Sequence, residues 1–239
     1  MKTTTSSQIL VAGEDIFATS STAYMPLGAK VTTGDGRSFR FCLAGGTTLV
    51  PGKLQQASAE DTTNYQNLAV SAAAIGATSL TVSTSTTVTA NALAGGYVLV
   101  TVTPGQGYMY GIGGNTATSA ATGLVITLDD AIQVALTTAS KIDVIPNPFA
   151  SVVVNPAAAT SAPVGAAVYP ITNAQYGWLQ VQGACNLLAD GAVTVGTQLV
   201  ASNGTAGAVE ALTGVQAIVG TAITGIATTE YGAVNLLLA

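Results

Sequence analysis

The chain has 239 residues, of which 49% are apolar, 5% aromatic and 7% charged, and it carries no histidine. The missing histidine excludes Ser-His-Asp and Cys-His catalytic sites and removes the usual zinc ligand. The net charge of −5 argues against a nucleic-acid partner. Mean hydropathy is +0.51, yet no apolar run reaches the roughly 18 residues of a membrane span, and no signal peptide is evident.

The few charged side chains are unevenly distributed along the chain. None lies between Asp61 and Asp129, and none lies between Asp143 and Asp190. A surface of this kind offers little self-repulsion against association. The composition therefore favours a subunit of a larger assembly.

Residues 1–28 are predicted to form an N-terminal arm. Ser, Thr and Gly dominate this segment, Pro26 interrupts it, and its apolar side chains follow no sustained period. Such a segment typically becomes ordered on a partner surface, so its apolar residues can anchor the chain to another protein. The alternative is a frayed terminus.

A hairpin follows the arm and holds the clearest local pattern. Asp35-Gly36 lies between two alternating runs, which predicts a tight turn. After the turn, one strand face carries Phe39, Phe41 and Leu43, and the opposite face carries Ser38, Arg40 and Cys42. Apolar anchors beside arginine are typical of a docking face, although the apolar face also fits a domain core. The candidate docking residues are Lys30, Arg37, Phe39, Arg40, Phe41 and Lys53.

The rest of the chain predicts short strands separated by glycine-rich turns. Residues 97–103, 124–128 and 142–145 are strand-like, while a helical turn over 90–93 and a short helix after Asp129-Asp130 are expected. Four prolines between residues 146 and 163 suggest a domain boundary near residue 160. We expect an all-β chain, with an arm at 1–28, a central antiparallel domain at 29–155 and a small C-terminal β-barrel or sandwich at 160–239.

Possible chemical sites are weakly supported. The acidic pairs Glu14-Asp15, Glu60-Asp61 and Asp129-Asp130 would point to opposite strand faces, and no calcium-loop motif joins Asp129, Asp130 and Asp143. The glycines of GQGYMYGIGG match no phosphate loop. We expect no catalytic residues, no metal and no cofactor.

Aromatic residues suggest a possible carbohydrate site. Tyr108, Tyr110, Tyr176 and Trp178 can form a stacking platform for a sugar, or they can pack in a core or interface. Both interpretations remain open from the sequence.

Much of the chain resembles tailed-phage head structural proteins of the capsid decoration, or cement, type. The resemblance is carried by GDGRSFRFCLAGGTTLVPGKLQQ, AIGATSLTV, GGYVLVTVTPGQGYMYGI and LDDAIQVALTTASKIDVIPNPF. The C-terminal ADGAVTVGTQLVASNGTAGAVEA and QAIVGTAITG resemble the small β-barrel of such proteins.

The resemblance implies a virion protein on the outer capsid surface, made in the host cytoplasm. It implies an all-β, often homotrimeric subunit that bridges major capsid protein subunits and has no catalytic residues. The alternative is a head-fibre or tail-associated adhesin that binds host glycans through Tyr108, Tyr110 and Trp178. A cellular surface-layer protein and a carboxylate-only enzyme are less favoured.

Overall fold

The computed structural model describes residues 15–119 and 123–238, and it confirms an all-β fold with 43% strand and 2% helix. In chain order the elements are β1 (Lys30–Thr32), β2 (Ser38–Leu43), β3 (Leu54–Gln56), α1 (Thr62–Tyr65), β4 (Leu68–Ala69), β5 (Ser79–Ser83), β6 (Tyr97–Val102), β7 (Met109–Asn115), β8 (Gly123–Leu128), β9 (Lys141–Ile145), β10 (Val153–Val154), β11 (Pro163–Ala167), β12 (Tyr176–Leu188), β13 (Gln198–Ala201), β14 (Val209–Ala211), β15 (Ile218–Ala222) and β16 (Tyr231–Leu237).

Two compact units divide the described chain. The inserted unit comprises residues 60–147, and the discontinuous unit comprises residues 15–59 together with 148–238. The inserted unit therefore interrupts the discontinuous unit between β3 and β10.

The inserted unit is an antiparallel sheet in the order β4-β9-β6-β7-β8-β5. An isolated bridge between Val70 and Val82, and a 2.9 Å hydrogen bond from Ser71 N to Thr81 O, bring its two ends together. Strand β5 buries Leu80 and Val82 and exposes Ser79, Thr81 and Ser83, as its alternation predicts. The resulting barrel encloses the unit's apolar core. Its fully buried residues include Val98, Ile112, Leu124, Ile126 and Ile142.

The discontinuous unit contains a longer sheet in the order β10-β3-β11-β12-β16-β15-β13-β14, with β2 also paired to β12 and β1 paired to β2. The sheet curls on itself, because Leu54 N donates to Gly207 O at 2.8 Å and Gly207 N donates to Asn155 O at 2.7 Å. One core cluster lies inside the curl. It includes Leu54, Leu187, Leu199, Val209 and Leu236.

The domain boundary expected near residue 160 does not match these units. Strand β3 pairs with both β10 and β11, so the segment before residue 60 belongs with the C-terminal strands. The prolines at 146 and 148 mark the end of the inserted unit instead. The division at 29–155 and 160–239 is therefore corrected to an insertion of residues 60–147.

The described part of the expected arm, residues 15–28, packs on its own chain. Ile16 is buried in a cluster with Phe41 and Trp178, and Met25 packs against the same cluster. Backbone hydrogen bonds between Ser20 and Tyr176 tie this segment to β12. Ile16 and Met25 therefore pack against the same chain and not against a partner. Residues 1–14 lie outside the described residues.

Neither short helix expected in the inserted unit forms. Residues 90–95 make turns, and the segment after Asp129-Asp130 contains bends and an isolated bridge at Leu136. Ile132 and Leu136 point into the barrel core, and their backbone N–H groups donate to Ala77 O and Ala73 O, both at 2.9 Å. Within the described ranges, no helix is long and apolar enough to cross a membrane.

Candidate docking surface

The predicted hairpin forms, with a longer loop than two residues. Gly36 N donates to Thr33 O and Thr33 N donates to Arg37 O, both at 2.9 Å. Gly34 and Asp35 are therefore the central residues, and Gly36 follows with a φ of +84°, a left-handed conformation that favours glycine. This is the type of loop that ends in a glycine bulge.

Asp35 and Arg37 form an ion pair at the tip of the hairpin. Arg37 Nε donates to Asp35 Oδ2 at 2.7 Å, and the Thr33 hydroxyl donates to Asp35 Oδ1. The Thr33 hydrogen bond, followed by those from Arg37, lowers the pKa of Asp35 to about 2. It is the only salt bridge among the described residues.

The apolar face of β2 is core and not surface. Phe39 and Phe41 are both 0% exposed. The Phe41 ring lies 5.2 Å from that of Trp178 and 5.7 Å from that of Tyr176, measured between centroids. Because Trp178 of the neighbouring strand β12 and residues 15–28 pack on this face, Phe39 and Phe41 cannot serve as surface anchors, and their place among the docking residues is corrected.

The opposite face of β2 is also partly covered. Cys42 is 0% exposed and belongs to a second cluster with Leu49 and Leu179. Burial raises the pKa of the Cys42 thiol to about 12. The face that carries Cys42 and Arg40 is therefore closed at Cys42 and half-buried at Arg40.

Lys30 and Arg40 form an unneutralised pair of cations. They are direct cross-strand partners of β1 and β2. Arg40 Nη1 donates to Gly28 O at 2.8 Å, and its guanidinium lies 5.7 Å from the Phe149 ring centroid. The Lys30 side chain has no hydrogen bond or ion pair with any described residue. Two like charges thus face each other without a carboxylate, an arrangement that favours an external anion.

Lys53 lies outside the two hairpin strands. It precedes β3, and its aliphatic stem lies along Gly207, where an added Cβ would be 2.8 Å from the Lys53 Cβ. The hairpin thus brings Lys30 and Arg40 together and leaves Arg37 at its tip.

The aromatic platform is divided between the two units. Tyr108 is 42% exposed, and its ring stacks on that of Tyr110 with centroids 6.2 Å apart. Tyr110 is buried, and its hydroxyl accepts from Gln133 N at 3.1 Å. Trp178 is 1% exposed and donates from Nε1 to the Tyr24 hydroxyl at 3.1 Å. Trp178 is therefore a core residue and presents no stacking face to a ligand.

Two of the acidic candidates accept hydrogen bonds from backbone N–H groups. Asp61 Oδ1 accepts from Asn64 N at the start of α1, and Asp143 Oδ1 accepts from Asn67 N. The Asp129 carboxylate lies over two glycines of the GQGYMYGIGG stretch, since a Cβ on Gly111 or Gly113 would be 2.6 or 2.8 Å from its oxygens. Among the described residues, no three His, Cys, Asp or Glu side chains gather in a possible metal site.

One cleft in the discontinuous unit was not indicated by the sequence. It has a volume of about 410 Å³, and its lining includes Arg37, Gln180, Cys185 and Tyr231. These residues come from the hairpin tip, β12 and β16. Because they are distant along the chain, no local motif could have predicted the cleft.

Comparison of the chain with protein-family models, with curated proteins and with solved structures finds no match.

Proposed function

We propose that the chain is a structural virion protein that decorates and stabilises the outer surface of a tailed-phage capsid. In this proposal a homotrimer bridges neighbouring subunits of the major capsid protein. The observation that supports this proposal most directly is the Lys30–Arg40 pair. Its two cations lie opposite each other on β1 and β2, without a carboxylate partner among the described residues.

The charge pattern supports this proposal. The chain has six basic residues, and two of them face each other on adjacent strands. Like charges directly opposite each other destabilise a sheet, so the arrangement has a cost in the free protein. An acidic group on a partner offsets that cost, because it converts repulsion into attraction at the interface.

The rigidity of the hairpin also supports a docking role. Strand β2 is paired on both sides, with β1 and β12, and its aromatic residues are fixed in the core. The two cations therefore sit on a preorganised strand pair, which lowers the ordering cost of binding. Phe39 and Phe41 contribute by holding this frame and make no direct contact with a partner.

The experiment is co-sedimentation with empty heads assembled from the major capsid protein and lacking the outer protein. Lys30→Glu should reduce binding strongly, because it replaces one of the two cations with an anion. Lys141→Glu is the matched control, since Lys141 is a half-buried strand lysine in the inserted unit. Failure of the wild-type protein to bind such heads would refute the proposal.

The second candidate is an adhesin of a head fibre or tail that binds host glycans. Its supporting observation is the exposed Tyr108 ring stacked on Tyr110, since exposed aromatic faces stack on sugars. A glycan array separates the candidates: specific glycan binding that Tyr108→Ala abolishes would favour the adhesin, and an array without signal would exclude it.

A further inference from the structure

The cleft lies beside a turn that connects two strands of the discontinuous unit. Gly52 N donates to Ala167 O, and Gly52 O accepts from Leu188 N, both at 2.9 Å. The turn at residues 51–52 therefore fastens the end of β11 to the end of β12. The cleft volume of about 410 Å³ falls within the range of small-ligand pockets, about 300–1,000 Å³.

Arg37 is the charged side chain of the cleft lining. Its Nε–H is committed to Asp35, and its guanidinium lies 5.5 Å from the Phe39 ring centroid. Its two Nη groups have no acceptor among the described residues. Gly183, with a φ of +89°, packs against the Arg37 stem, because an added Cβ would lie 3.1 Å from Arg37 Cγ. The guanidinium is thus positioned with its paired Nη donors unused.

Gln180 supplies an acceptor to the same cleft. Its side chain is buried, with the residue 1% exposed. Its Nε2 donates to Gln182 O at 3.1 Å and to Ala184 O at 2.8 Å, which fixes the orientation of the amide. Its Oε1 has no hydrogen-bond partner among the described residues. An acceptor without a partner in the chain can accept a hydrogen bond from a ligand N–H.

The remaining lining is apolar or aromatic. The Tyr231 ring lies against Gly52, where an added Cβ would be 2.6 Å from its Cε1. The apolar wall comprises Pro51, Ala167, Val168 and Ala184.

We propose that this cleft binds a peptide carboxylate. In this arrangement the Nη groups of Arg37 donate to the carboxylate, Gln180 Oε1 accepts from the neighbouring peptide N–H, and the apolar wall contacts the aliphatic part of the residue. The inference rests on the proposed docking function and deepens it, since it identifies the cleft as the receptor for a segment of the shell protein.

The donor set favours this ligand over an inorganic anion. A planar carboxylate matches the paired Nη groups in a bidentate geometry. A phosphate dianion would meet one cation already paired with Asp35, and its other oxygens would face the apolar wall. A peptide residue instead satisfies the cation, the Gln180 acceptor and the apolar wall together.

The test uses the intact protein and three small probes. N-acetyl-leucine presents a terminal carboxylate, N-acetylglutamic acid α-amide presents a side-chain carboxylate, and N-acetyl-leucinamide presents none. Saturation-transfer NMR measures binding, and chemical-shift changes of the Tyr231 ring report the location, since Tyr231 lines the cleft. We expect at least one acid to bind and to shift the Tyr231 ring signals, while the neutral amide does neither.

Two variants make the test specific. Arg37→Gln should weaken binding of the acid at least about tenfold, because it removes a charge-assisted bidentate contact. Ala184→Leu should block the cleft by volume, and the exposed position of Ala184 protects the fold. Wild-type affinity in both variants, or equal binding of the acids and the neutral amide, would overturn the inference.

Failure of the inference and failure of the docking function give different results. If the wild-type protein binds capsids but binds neither acid, the carboxylate site is overturned and the docking function stands. Carboxylate binding at the cleft without capsid binding would support the site and refute the docking function.

Discussion

Lys30 and Arg40 lie directly opposite each other on β1 and β2, and neither is paired with a carboxylate among the described residues. Cross-strand neighbours of like charge repel each other at close range. This repulsion lowers the stability of the free protein, whereas the same two unpaired cations favour the binding of an acidic partner.

The first prediction concerns the stability effect of Lys30→Glu. The new carboxylate faces the Arg40 guanidinium, so repulsion becomes attraction and the free energy of unfolding should rise by about 0.2–1 kcal/mol. Urea denaturation followed by Trp178 fluorescence measures this, since Trp178 is the chain's single tryptophan. Lys30→Gln should give a smaller gain, and a net destabilisation by Lys30→Glu would contradict the assigned register.

The second prediction concerns the aromatic cluster beneath β2. Phe41 is fully buried against Trp178 and Tyr176, so Phe41→Ala should lower the free energy of unfolding by about 3–5 kcal/mol. Tyr108→Ala, at an exposed ring of the inserted unit, is the comparison and should cost far less. A loss below 1 kcal/mol for Phe41→Ala, compared with the ordinary range for large-to-small core substitutions, would show that the ring is not a core residue.

The third prediction concerns the chain segments that fold independently. Residues 60–147 are continuous and contain their own barrel core, so this fragment should fold and unfold cooperatively, as measured by circular dichroism. Residues 160–239 lack β2, β3 and β10, so this fragment should fail to fold. The reverse result would restore the boundary near residue 160.

The fourth prediction concerns the pH dependence of the hairpin tip. The pKa of Asp35 is lowered from 3.8 to about 2, so its ionised form favours the folded state. The stabilisation is present above pH 3.8 and is lost as the pH falls toward about 2. Carboxylate NMR should therefore detect a lowered pKa for Asp35. Thr33→Ala should raise this pKa, because Thr33 makes the largest contribution to the shift, and an unchanged pKa would contradict the hydrogen-bond pattern.

Local sequence patterns were sufficient to predict most of the strands. The hairpin loop around Asp35 and the alternating segment of β5 are local features, since each depends on neighbouring residues. The covering of β2 is not local. Arg40 is shielded by Phe149, and Phe41 is covered by Trp178, two residues from a distant part of the chain.

Neither the inserted unit nor the cleft could be predicted from the sequence, and the reason is the same for both. The pairing of β3 with β10 and β11 joins segments on either side of residues 60–147, and no composition signal marks that pairing. The cleft combines Arg37 at the hairpin tip with Gln180 and Tyr231 from two other strands. The sequence around Arg37 predicts a hairpin but gives no sign of Gln180 or Tyr231, so only the tertiary fold places the three residues together.

Co-sedimentation with empty heads tests the central claim most directly. The wild-type protein and Lys141→Glu should bind the heads, while Lys30→Glu should bind far less although its folded state is at least as stable. Raising the salt concentration should weaken wild-type binding, because the contact is electrostatic. Equal binding by Lys30→Glu and the wild-type protein would contradict the assignment of this hairpin as the docking surface.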